Sequence, residues 1–491
     1  MAELIRFSKA SKRLSCRLLS KESLNTIHYA TLEVLEKTGV IVESDQALKM
    51  LEEFGCPVNH RKHLARIPPY IVKDALKKKP RNVTLHARNP NNNVRLDGRH
   101  LFLCTDGTGT FTLNPETGDR RASTKQDVIE SAKIADYLDA ISLYWPMITA
   151  QDVPAHVRVL HDLEASLANT EKHVMFETTT TPHEARFQIE IAALVAGGKE
   201  ELKKRPIVSS SNCTIAPLKH AKGPTEAAIE FAKAGVPLSL LPMPQAGATG
   251  PVTLAGSTVI SNAEALSGLV IIQTAAPGTP MLYASEGSNF DMKTLRWCGG
   301  SPECGLLTAV ANELAEYYEM PSASAGFTTD AKIPGLQAGY EKAVTGALPI
   351  FVGYDIVGGL GLLDACTVFT PEQLLIDAEI AEMLYRLTQG IEVNEETLAL
   401  DLIHKIGPGG HYLAEKHSLK HLKEEHYFPK IADRLAYETW KKAGSKTVTS
   451  SAREKAKEIL KTHQPVPLEK AVQERIAEIL KRAEKEISKS S

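Results

Sequence analysis

Carboxylate side chains recur at one kind of place in this sequence, directly after short apolar runs. Glu177 follows "HVMF", Glu286 follows "MLYAS", Asp330 follows "SAGFTT" and Asp355 follows "IFVGY". If each run is a strand of one parallel barrel, the four acids meet at its carboxyl end, where such barrels carry their reacting groups. Carboxylates buried together raise one another's pKa unless a cation lies among them. The pattern therefore predicts a site for a cationic ligand.

Aromatic and amide side chains follow the same runs and complete the predicted site. An aromatic face attracts a quaternary ammonium group by about 0.5 to 2 kcal/mol, and the alternative is that it only fills the barrel. The predicted substrate-binding residues are Tyr144, Trp145, Glu177, Asn212, Gln245, Phe327, Tyr354 and Asp355. The predicted catalytic residues are Asp330, Lys332 and Glu286. The structural alternative for each acid is that it caps a helix or pairs with arginine or lysine.

Side chains alternate along a strand, so only one parity of each strand faces the barrel axis. The parity that carries the polar groups predicts inward side chains for Glu177, Gln245, Glu286, Ser324, Asp330 and Asp355. The same rule predicts that Tyr283 and Phe327 face outwards.

The segment "TTDAKIPGLQAGYEK", residues 328–342, concentrates acids, lysines, an amide and a tyrosine around two glycines. We expect Asp330 and Lys332 to line the mouth of the barrel, with the next helix starting at its rim. The alternative is that Lys332 and Glu341 only form an ion pair that orders the loop. The predicted rim residues are Gln337, Tyr340, Glu341 and His411.

Strand-like runs alternate with amphipathic stretches between about residues 140 and 370, as in a (β/α)8 barrel of typical size. The predicted strands are "AISLYWPMI", "HVMFETTT", "RPIVSSSNC", "VPLSLLPMP", "TPMLYASEG", "MPSASAGFT", "LPIFVGYD" and "ACTVFT". Helices are predicted at 156–168, 183–196, 225–234, 257–274 and 306–318. An open doubly wound sheet is the alternative. The predicted class is therefore an α/β protein with a TIM (β/α)8 barrel over 126–392. A mixed α/β extension precedes it over 1–125, and a helical segment follows over 393–491.

Composition narrows the classes of partner and compartment. Lys+Arg (57) and Asp+Glu (59) nearly cancel, so neither nucleic acid nor an anionic membrane is an expected partner. The seven cysteines are scattered without a CxxC pair, which indicates reduced thiols and a cytoplasmic protein. The first fifteen residues hold no apolar run of signal-peptide length. The long apolar run 347–369 is interrupted by Asp355 and Asp364, so buried strands are predicted there instead of a membrane span. A homo-oligomer is compatible with this composition.

Two separated segments carry a family resemblance. "TDAKIPGLQAGYEK" (329–342) together with "IGPGGHYLAEKHSLKH" (406–421) resembles the trimethylamine methyltransferase (MttB) superfamily, and "TGDRRASTKQD" (117–127) and "HQPVPL" (463–468) support it. The resemblance covers nearly the whole chain. It implies a TIM barrel that passes a methyl group from an amine to the Co(I) corrinoid of a separate small protein. It also implies that this chain binds no cofactor tightly, since the corrinoid (cobalamin) is presented by the partner.

One departure from the family pattern points to a particular branch. The founding members carry pyrrolysine in the stretch that falls here within Gly326–Thr329, where this chain has ordinary residues. The chain therefore resembles the pyrrolysine-lacking branch, which acts on quaternary amines such as glycine betaine. When a quaternary ammonium loses a methyl group, the departing tertiary amine is neutral. Transfer of the methyl group therefore needs no separate acid or covalent carrier. For the carboxylate of a betaine, Lys332 or Arg296 is the expected counter-charge.

The histidine-rich C-terminal region supplies the competing interpretation. His417 and His421 are four residues apart on a predicted helix, but no carboxylate stands beside them as in known zinc motifs, so no metal site is predicted. Asp401 and His404 resemble the cobalt-ligating Asp-x-His-x-x-Gly pattern with one residue too many between them. Two alternatives remain open. One is a zinc-dependent corrinoid methyltransferase acting on another methyl donor, and the other is a non-catalytic protein that binds quaternary amines.

Overall fold

The computed structural model of the chain describes residues 7–8, 16–114 and 116–488. Most of the N-terminal segment used for the signal-peptide prediction therefore lies outside the described residues.

Eight parallel strands close into a barrel, and a helix follows each strand. Neighbouring strands pair in chain order, and the last strand pairs with the first. Between the sixth and seventh strands the barrel closes through a parallel bridge from Tyr283 to Ser322. The strands are β1 His100–Thr105, β2 Ile141–Tyr144, β3 His173–Phe176, β4 Val208–Cys213, β5 Leu238–Leu241, β6 Met281–Tyr283, β7 Ala323–Ala325 and β8 Ile356–Leu360. The predicted TIM barrel is confirmed, and the open sheet is excluded.

Five of the barrel helices, the second to the sixth, agree with the predicted stretches to within a few residues. Capping residues begin several of them, such as Thr124 before the first helix and Thr181 before the third. The helices are α1 Lys125–Tyr137, α2 Arg158–Asn169, α3 Pro182–Ala196, α4 Lys222–Lys233, α5 Leu254–Ala275, α6 Pro302–Tyr317, α7 Leu336–Val352 and α8 Pro371–Gln389.

Two of the eight predicted strands are wrong. The first strand, β1, lies within the predicted N-terminal extension, so the barrel begins before residue 126. The run "LPIFVGYD" is the end of helix α7, and the true strand β8 starts at Ile356. The run "ACTVFT" contributes only the two-residue strand Val368–Phe369 outside the barrel. Short apolar runs do not distinguish a strand from the end of a buried helix, which explains the error.

Apolar side chains close the barrel interior at the end opposite the carboxyl ends of the strands. The hairpin of Val83–Leu85 and Val94–Leu96 places four apolar side chains in the same cluster as the inward residues of the strands. The inward members of that cluster include Phe102, Cys104, Leu143, Trp145, Met175, Leu241, Leu282, Ala284, Ala323 and Ile356. A ligand therefore reaches the interior from the carboxyl end, which we call the mouth.

The N-terminal extension covers the outer face of the barrel around α5. The helices Lys21–Glu33 and Pro69–Lys78 pack against α5, and Asp45–Glu53 packs against α4 and α5. Its other elements are Phe7–Ser8, Val34–Thr38, Val40–Val42, Val58–Asn59, His60–Lys62, Leu64–Ala65 and Pro90–Asn92. Because the extension covers α5, this long apolar helix is a core helix. Its most apolar window is of membrane-spanning length, but 78% of it is buried inside the protein.

The C-terminal segment is helical, as predicted. Val448–Thr462 packs on α8 and α1, and Lys470–Ile487 packs on α3. The shorter helices Glu395–Leu398, Leu400–Ile406, Lys416–Glu425 and Tyr437–Lys442 contain no buried residue.

Small sheets formed by the loops surround the mouth. One contains Phe111–Leu113, Arg120–Ala122, Leu362–Leu363 and Val368–Phe369, and another contains Gln245–Ala246, Ser288–Asp291 and Arg296–Trp297. The remaining short elements are Ala155–Val157, Lys199–Lys204 and Lys219–His220.

Candidate active site

Three carboxylates meet at the mouth of the barrel. Asp106 follows β1, Glu177 follows β3 and Glu286 lies three residues beyond β6. Burial raises the pKa of Glu286 well above its ordinary value, and the nearby charges of Asp106 and Glu177 raise it further. Burial and then the charge of Asp106 also raise the pKa of Glu177. The three acids therefore share one poorly solvated space, where a positive charge would be stabilised.

Asp106 is the member of this group that the sequence analysis missed. Its amide donates to the carbonyl of Leu360 (3.1 Å), and one of its carboxylate oxygens accepts from the amide of Gly107 (3.0 Å). The other oxygen is buried and has no hydrogen-bond partner among the described residues. Burial raises the pKa of Asp106, whereas the Cys366 thiol and the charge of Lys342 lower it. The available signal was the run "HLFLCT" directly before this aspartate.

Glu177 is anchored through one oxygen only. Its Oε1 accepts from the amide of Thr178 (2.9 Å), from the Thr178 hydroxyl (3.1 Å) and from the thiol of Cys213 at 3.7 Å. The side chain is partly exposed, unlike that of Glu286. Its second oxygen is therefore free to contact a ligand in the mouth.

Trp145 places an aromatic ring beside the acids. Its backbone amide and carbonyl are both bonded to the hydroxyl of Thr105, each at 2.7 Å. The indole packs so closely on Gly107 that a Cβ at that position would lie 2.0 Å from Nε1, so only glycine fits. The indole Nε1 is buried and has no hydrogen-bond partner among the described residues. The ring therefore lies against the residue that follows Asp106.

A buried ion pair lies behind Asp106. The side chains of Lys342 on α7 and Asp377 on α8 have no exposed surface, and their charged atoms are 2.7 Å apart. Lys342 also donates to the carbonyl of Gly359 (3.2 Å), and Asp377 accepts from the amide of Gly361 (2.7 Å). The pair thus fixes Gly359 and Gly361, which flank Leu360. The carbonyl of Leu360 accepts from the amide of Asp106. Lys342 closes the segment 328–342, but the sequence analysis gave it no role.

Asp330 and Glu341 anchor the loops of the mouth instead of facing its centre. The Asp330 carboxylate accepts from the amides of Gly299 and Gly300, both at 3.0 Å, and burial raises its pKa. Glu341 accepts from the amide of Asp330 (2.8 Å) and from the hydroxyl of Thr329 (2.5 Å). Both acids therefore order the wall of the site through backbone contacts.

Lys332 does not form the alternative ion pair with Glu341. Three cations from three loops surround the nearly buried carboxylate of Asp364 instead. Arg296 lies 2.9 Å from it, Lys332 3.5 Å and Arg120 3.9 Å. We call Arg120, Arg296 and Lys332 the cation cluster. Both predicted counter-charges for a substrate carboxylate belong to it.

Tyr144 and Asn212 do not reach the predicted site. The Tyr144 hydroxyl is hydrogen-bonded to that of Ser131 on α1 (2.8 Å), which places the ring outside the barrel. Asn212 donates to the hydroxyl of Ser210 (2.9 Å) and lines a small outer cavity beside α4 and α5. Tyr144 and Asn212 thus face outwards. The next residue in each strand, Trp145 or Cys213, faces inwards.

Tyr354 and Asp355 lie at the wrong end of the barrel for a role at the mouth. They precede β8, because the run assigned as their strand is the end of α7. The Tyr354 hydroxyl donates to the carbonyl of Thr308 (2.7 Å), and Asp355 accepts from the amide of Ser322 (2.9 Å). The predicted substrate-binding roles of both residues and the predicted inward position of Asp355 are therefore wrong.

Strand alternation holds at β6 but only in part near β7. Tyr283 faces outwards as predicted and donates to Asn262 on α5 (2.9 Å). Phe327 also faces outwards and packs on Gly346 of α7, so it does not line the site. The Ser324 hydroxyl, predicted to face inwards, donates to the backbone carbonyl of Ser285.

The predicted rim residues are divided between the mouth and the C-terminal segment. Gln337 and Tyr340 are exposed on the first turns of α7. Gln245, which was predicted to face inwards and bind substrate, is part of the short strand beside the mouth. His411 is exposed between the helices Leu400–Ile406 and Lys416–Glu425 and belongs to no barrel loop.

The histidine pair of the C-terminal segment forms local ion contacts. His421 Nε2 lies 3.2 Å from Glu396, and its Nδ1 lies 3.5 Å from Glu424. Across the described ranges, no three or more His, Cys, Asp or Glu side chains are grouped to hold a metal ion.

Comparison with known proteins gives matches along nearly the whole chain. The family model for trimethylamine methyltransferase (MTTB) matches residues 7–488. A trimethylamine methyltransferase MttB from Desulfitobacterium hafniense is 36% identical over 467 residues, covering 95% of this chain and 94% of the relative. The MttB of Methanosarcina barkeri is 34% identical, with 95% of each chain covered. A glycine betaine methyltransferase from D. hafniense is also 34% identical, with 96% and 98% covered. The crystal structure of the hydroxylamine complex of MtmB has a TM-score of 0.49 and 12% identity, covering 91% of this chain and 96% of that one.

Proposed function

This chain belongs to the trimethylamine methyltransferase (MTTB) family, and from that premise we propose that it transfers a methyl group from a quaternary amine to a partner's corrinoid. Glycine betaine is the foremost substrate, and the acceptor is the Co(I) corrinoid of a small corrinoid protein. The observation that carries the proposal is the meeting of Asp106, Glu177 and Glu286 beside the ring of Trp145.

The raised pKa values favour a permanent cation over a protonated amine. A trimethylammonium ion can give its proton to a carboxylate whose pKa is raised, and the ion contact is then lost. A quaternary ammonium has no such proton and keeps its charge among the acids. The relative named for glycine betaine has a substrate of this class. The family relationship therefore supports methyl transfer, and the electrostatics of the site support a quaternary donor.

The acids and the tryptophan have complementary roles in this proposal. Asp106, Glu177 and Glu286 hold the ammonium nitrogen, and Trp145 orients its methyl groups through a cation–π contact. Because burial raises the pKa of each acid and so disfavours its ionised form, the acids bind the charged ground state less tightly than fully ionised carboxylates would, which helps the charge to be lost on reaction. Within the cation cluster, Lys332 or Arg296 is suited to the carboxylate of a betaine, which leaves the other two cations exposed at the rim.

The corrinoid is more consistent with a cofactor carried by a partner protein than with one bound by this chain. Asp401 and His404, the near match to a cobalt-ligating pattern, lie exposed on the C-terminal helix Leu400–Ile406 and belong to no loop of the mouth. When its carrier presents it, the corrinoid supplies the nucleophile for the methyl carbon. The residues of this chain bind the donor, orient it and exclude water.

A substrate panel tests the proposal directly. Purified protein is mixed with free cob(I)alamin and glycine betaine, proline betaine, carnitine, choline or trimethylamine, and the absorbance change on methylation of Co(I) is followed. We expect turnover with at least one quaternary amine, with glycine betaine fastest, and none with trimethylamine. Turnover with trimethylamine alone would refute the quaternary substrate. Calorimetric binding of glycine betaine without methylation would favour the non-catalytic alternative.

A further inference from the structure

Large apolar side chains are exposed on one side of the mouth only. They come from the loops that follow β5, β6 and β7 and from the start of α7, and the loop that follows β4 adds Ile215. Among the described residues, the loops that follow β1, β2, β3 and β8 expose no side chain of this kind. We call Val252, Met292, Leu295, Ile333, Leu336 and Tyr340 the apolar half-rim. An exposed, one-sided apolar surface of this kind is typical of an interaction site.

The apolar half-rim is continuous with the cation cluster. Met292 and Val252 both approach Gly247, where an added Cβ would lie 2.8 Å from the first and 3.7 Å from the second. Farther along the rim, Leu295 is adjacent to Arg296 and Ile333 is adjacent to Lys332. Both of these cations contact the carboxylate of Asp364, so the loops after β6 and β7 meet there. The two apolar groups thus flank one charged centre.

The charged centre selects for acidic groups on a partner. Arg120, Arg296 and Lys332 all contact the carboxylate of Asp364, so the cations of this contact outnumber its acid. Each of the three cation side chains is at least half exposed, so the excess is accessible to a partner. Apolar contacts beside complementary charges are the usual composition of a protein interface.

The position of this surface indicates which partner it meets. The other end of the barrel is closed by the apolar hairpin, so a methyl acceptor reaches the three acids only through the mouth. We propose that the apolar half-rim and the cation cluster form the docking surface for the corrinoid-carrying protein. That protein would approach from the β5–β7 side with apolar and acidic groups around its cofactor. This inference rests on the proposed function.

Two substitutions test the docking surface without touching the site. Leu336→Asp changes an 86% exposed residue at the first position of α7, where an acidic side chain is favourable for the helix. Leu295→Asp changes an exposed residue with φ of 56°, a conformation that aspartate tolerates. Leu413→Asp is the matched control, because Leu413 is 91% exposed in the C-terminal segment.

Each variant is assayed with free cob(I)alamin and with a small corrinoid protein that the wild-type enzyme methylates. With the free cofactor we expect unchanged turnover for all three variants. With the carrier protein, the double variant Leu295→Asp/Leu336→Asp should raise the KM for the carrier about tenfold or more. The control should leave that KM unchanged, and added salt should raise it for the wild type.

The outcomes separate this inference from the proposed function. No methylation of free cobalamin by the wild type would count against the proposed function itself. Methylation of free cobalamin together with an unchanged KM for the carrier in the double variant would overturn the docking surface. A change of the double variant from oligomer to monomer in sedimentation, with the same KM for the carrier, would assign the surface to a second copy instead.

Discussion

The raised pKa of Glu286 should make ligand binding release protons, which can be measured. Its pKa is raised by burial and by two neighbouring acids, so it holds a proton to higher pH than an ordinary carboxyl. A bound quaternary ammonium favours the ionised form, so binding of glycine betaine should release protons and should tighten as pH rises above the range in which an ordinary carboxyl titrates. Calorimetry in two buffers with different ionisation enthalpies measures the number of protons released.

Glu286→Gln should remove part of that proton release and weaken binding of glycine betaine about tenfold or more. Glu438→Gln, at an exposed position of the C-terminal segment, is the control and should change neither quantity. Equal proton release in the wild type and in Glu286→Gln would exclude Glu286 from the cation site. This readout is independent of turnover, so it remains informative whatever the methyl acceptor is.

The buried carboxyl of Glu264 on α5 should make the stability of the folded state depend on pH. It accepts from the amide of Leu218 (2.8 Å) and from the Thr214 hydroxyl, and burial raises its pKa from 4.5 to about 7. A raised pKa means that the folded state holds the proton more tightly than the unfolded state. The resulting stability is fully present below pH 4.5 and is lost as pH rises through about 7.

Glu264→Gln should therefore raise the free energy of unfolding by about 1 to 3 kcal/mol at pH 8 and change it little at pH 4.5. The amide oxygen of glutamine can still accept from the amide of Leu218. Urea unfolding at several pH values measures the difference. An equal effect at both pH values would show that packing, and not titration, decides the result.

At the scale of elements, the sequence pattern was sufficient for the barrel but not for every strand. Helix α3 begins at a capping box, and α5 is an apolar run too long for a strand, so both were predicted to within a few residues. The run before Tyr354 is short and apolar and contains Pro349, which disfavours a helix interior, so a strand was predicted although the run is the end of α7. One wrong strand therefore moved Tyr354 and Asp355 to the opposite end of the barrel.

The site was predicted in part for the same reason. Glu177, Glu286 and Trp145 follow correctly predicted strands and do meet at the mouth. Asp106 was missed with its strand, and Tyr144 and Asn212 were assigned with the wrong parity at strand ends, where alternation alone does not fix the register. The buried pair Lys342 and Asp377 joins α7 to α8, and no local pattern in a sequence reports such a contact between elements.

That ion pair allows a prediction about how β8 positions Asp106. Lys342→Met leaves Asp377 buried without its cation and should destabilise the fold by about 3 to 5 kcal/mol. The double variant Lys342→Met/Asp377→Leu removes both charges and should recover most of that stability. It should recover cation binding only in part, because both charges are lost and the charge of Lys342 lowers the pKa of Asp106 more than the charge of Asp377 raises it.

The pH profile distinguishes positioning from simple stability. In the double variant, the pH at which glycine betaine binding reaches half its maximum should move upwards, because Asp106 keeps its proton to higher pH. Thermal unfolding and calorimetric binding are measured on the same preparation. Recovered stability together with an unchanged pH midpoint would restrict the ion pair to a structural role.

At the scale of the whole molecule, the chain divides into a tightly packed barrel and a loosely held C-terminal segment. The helices Leu400–Ile406 and Lys416–Glu425 have no buried residue, whereas the later helix Val448–Thr462 buries Ala452, Ala456 and Ile459 against the barrel. Short helices without tertiary packing are marginal in water. Local opening is therefore expected to be easiest between about residues 391 and 442.

Hydrogen exchange at the level of peptides tests this division in the intact chain. Amides of Lys416–Glu425 should exchange at least about a hundredfold faster than those of Val448–Thr462, because a helix without buried contacts opens at a lower free energy. The barrel helix α5, which is almost entirely buried, serves as the slow reference. Measuring exchange at two protein concentrations adds a control for self-association. Protection of Lys416–Glu425 that rises with concentration would show that a second copy covers its exposed Leu419 and Leu422. Protection equal to that of Val448–Thr462 at every concentration would contradict the division itself.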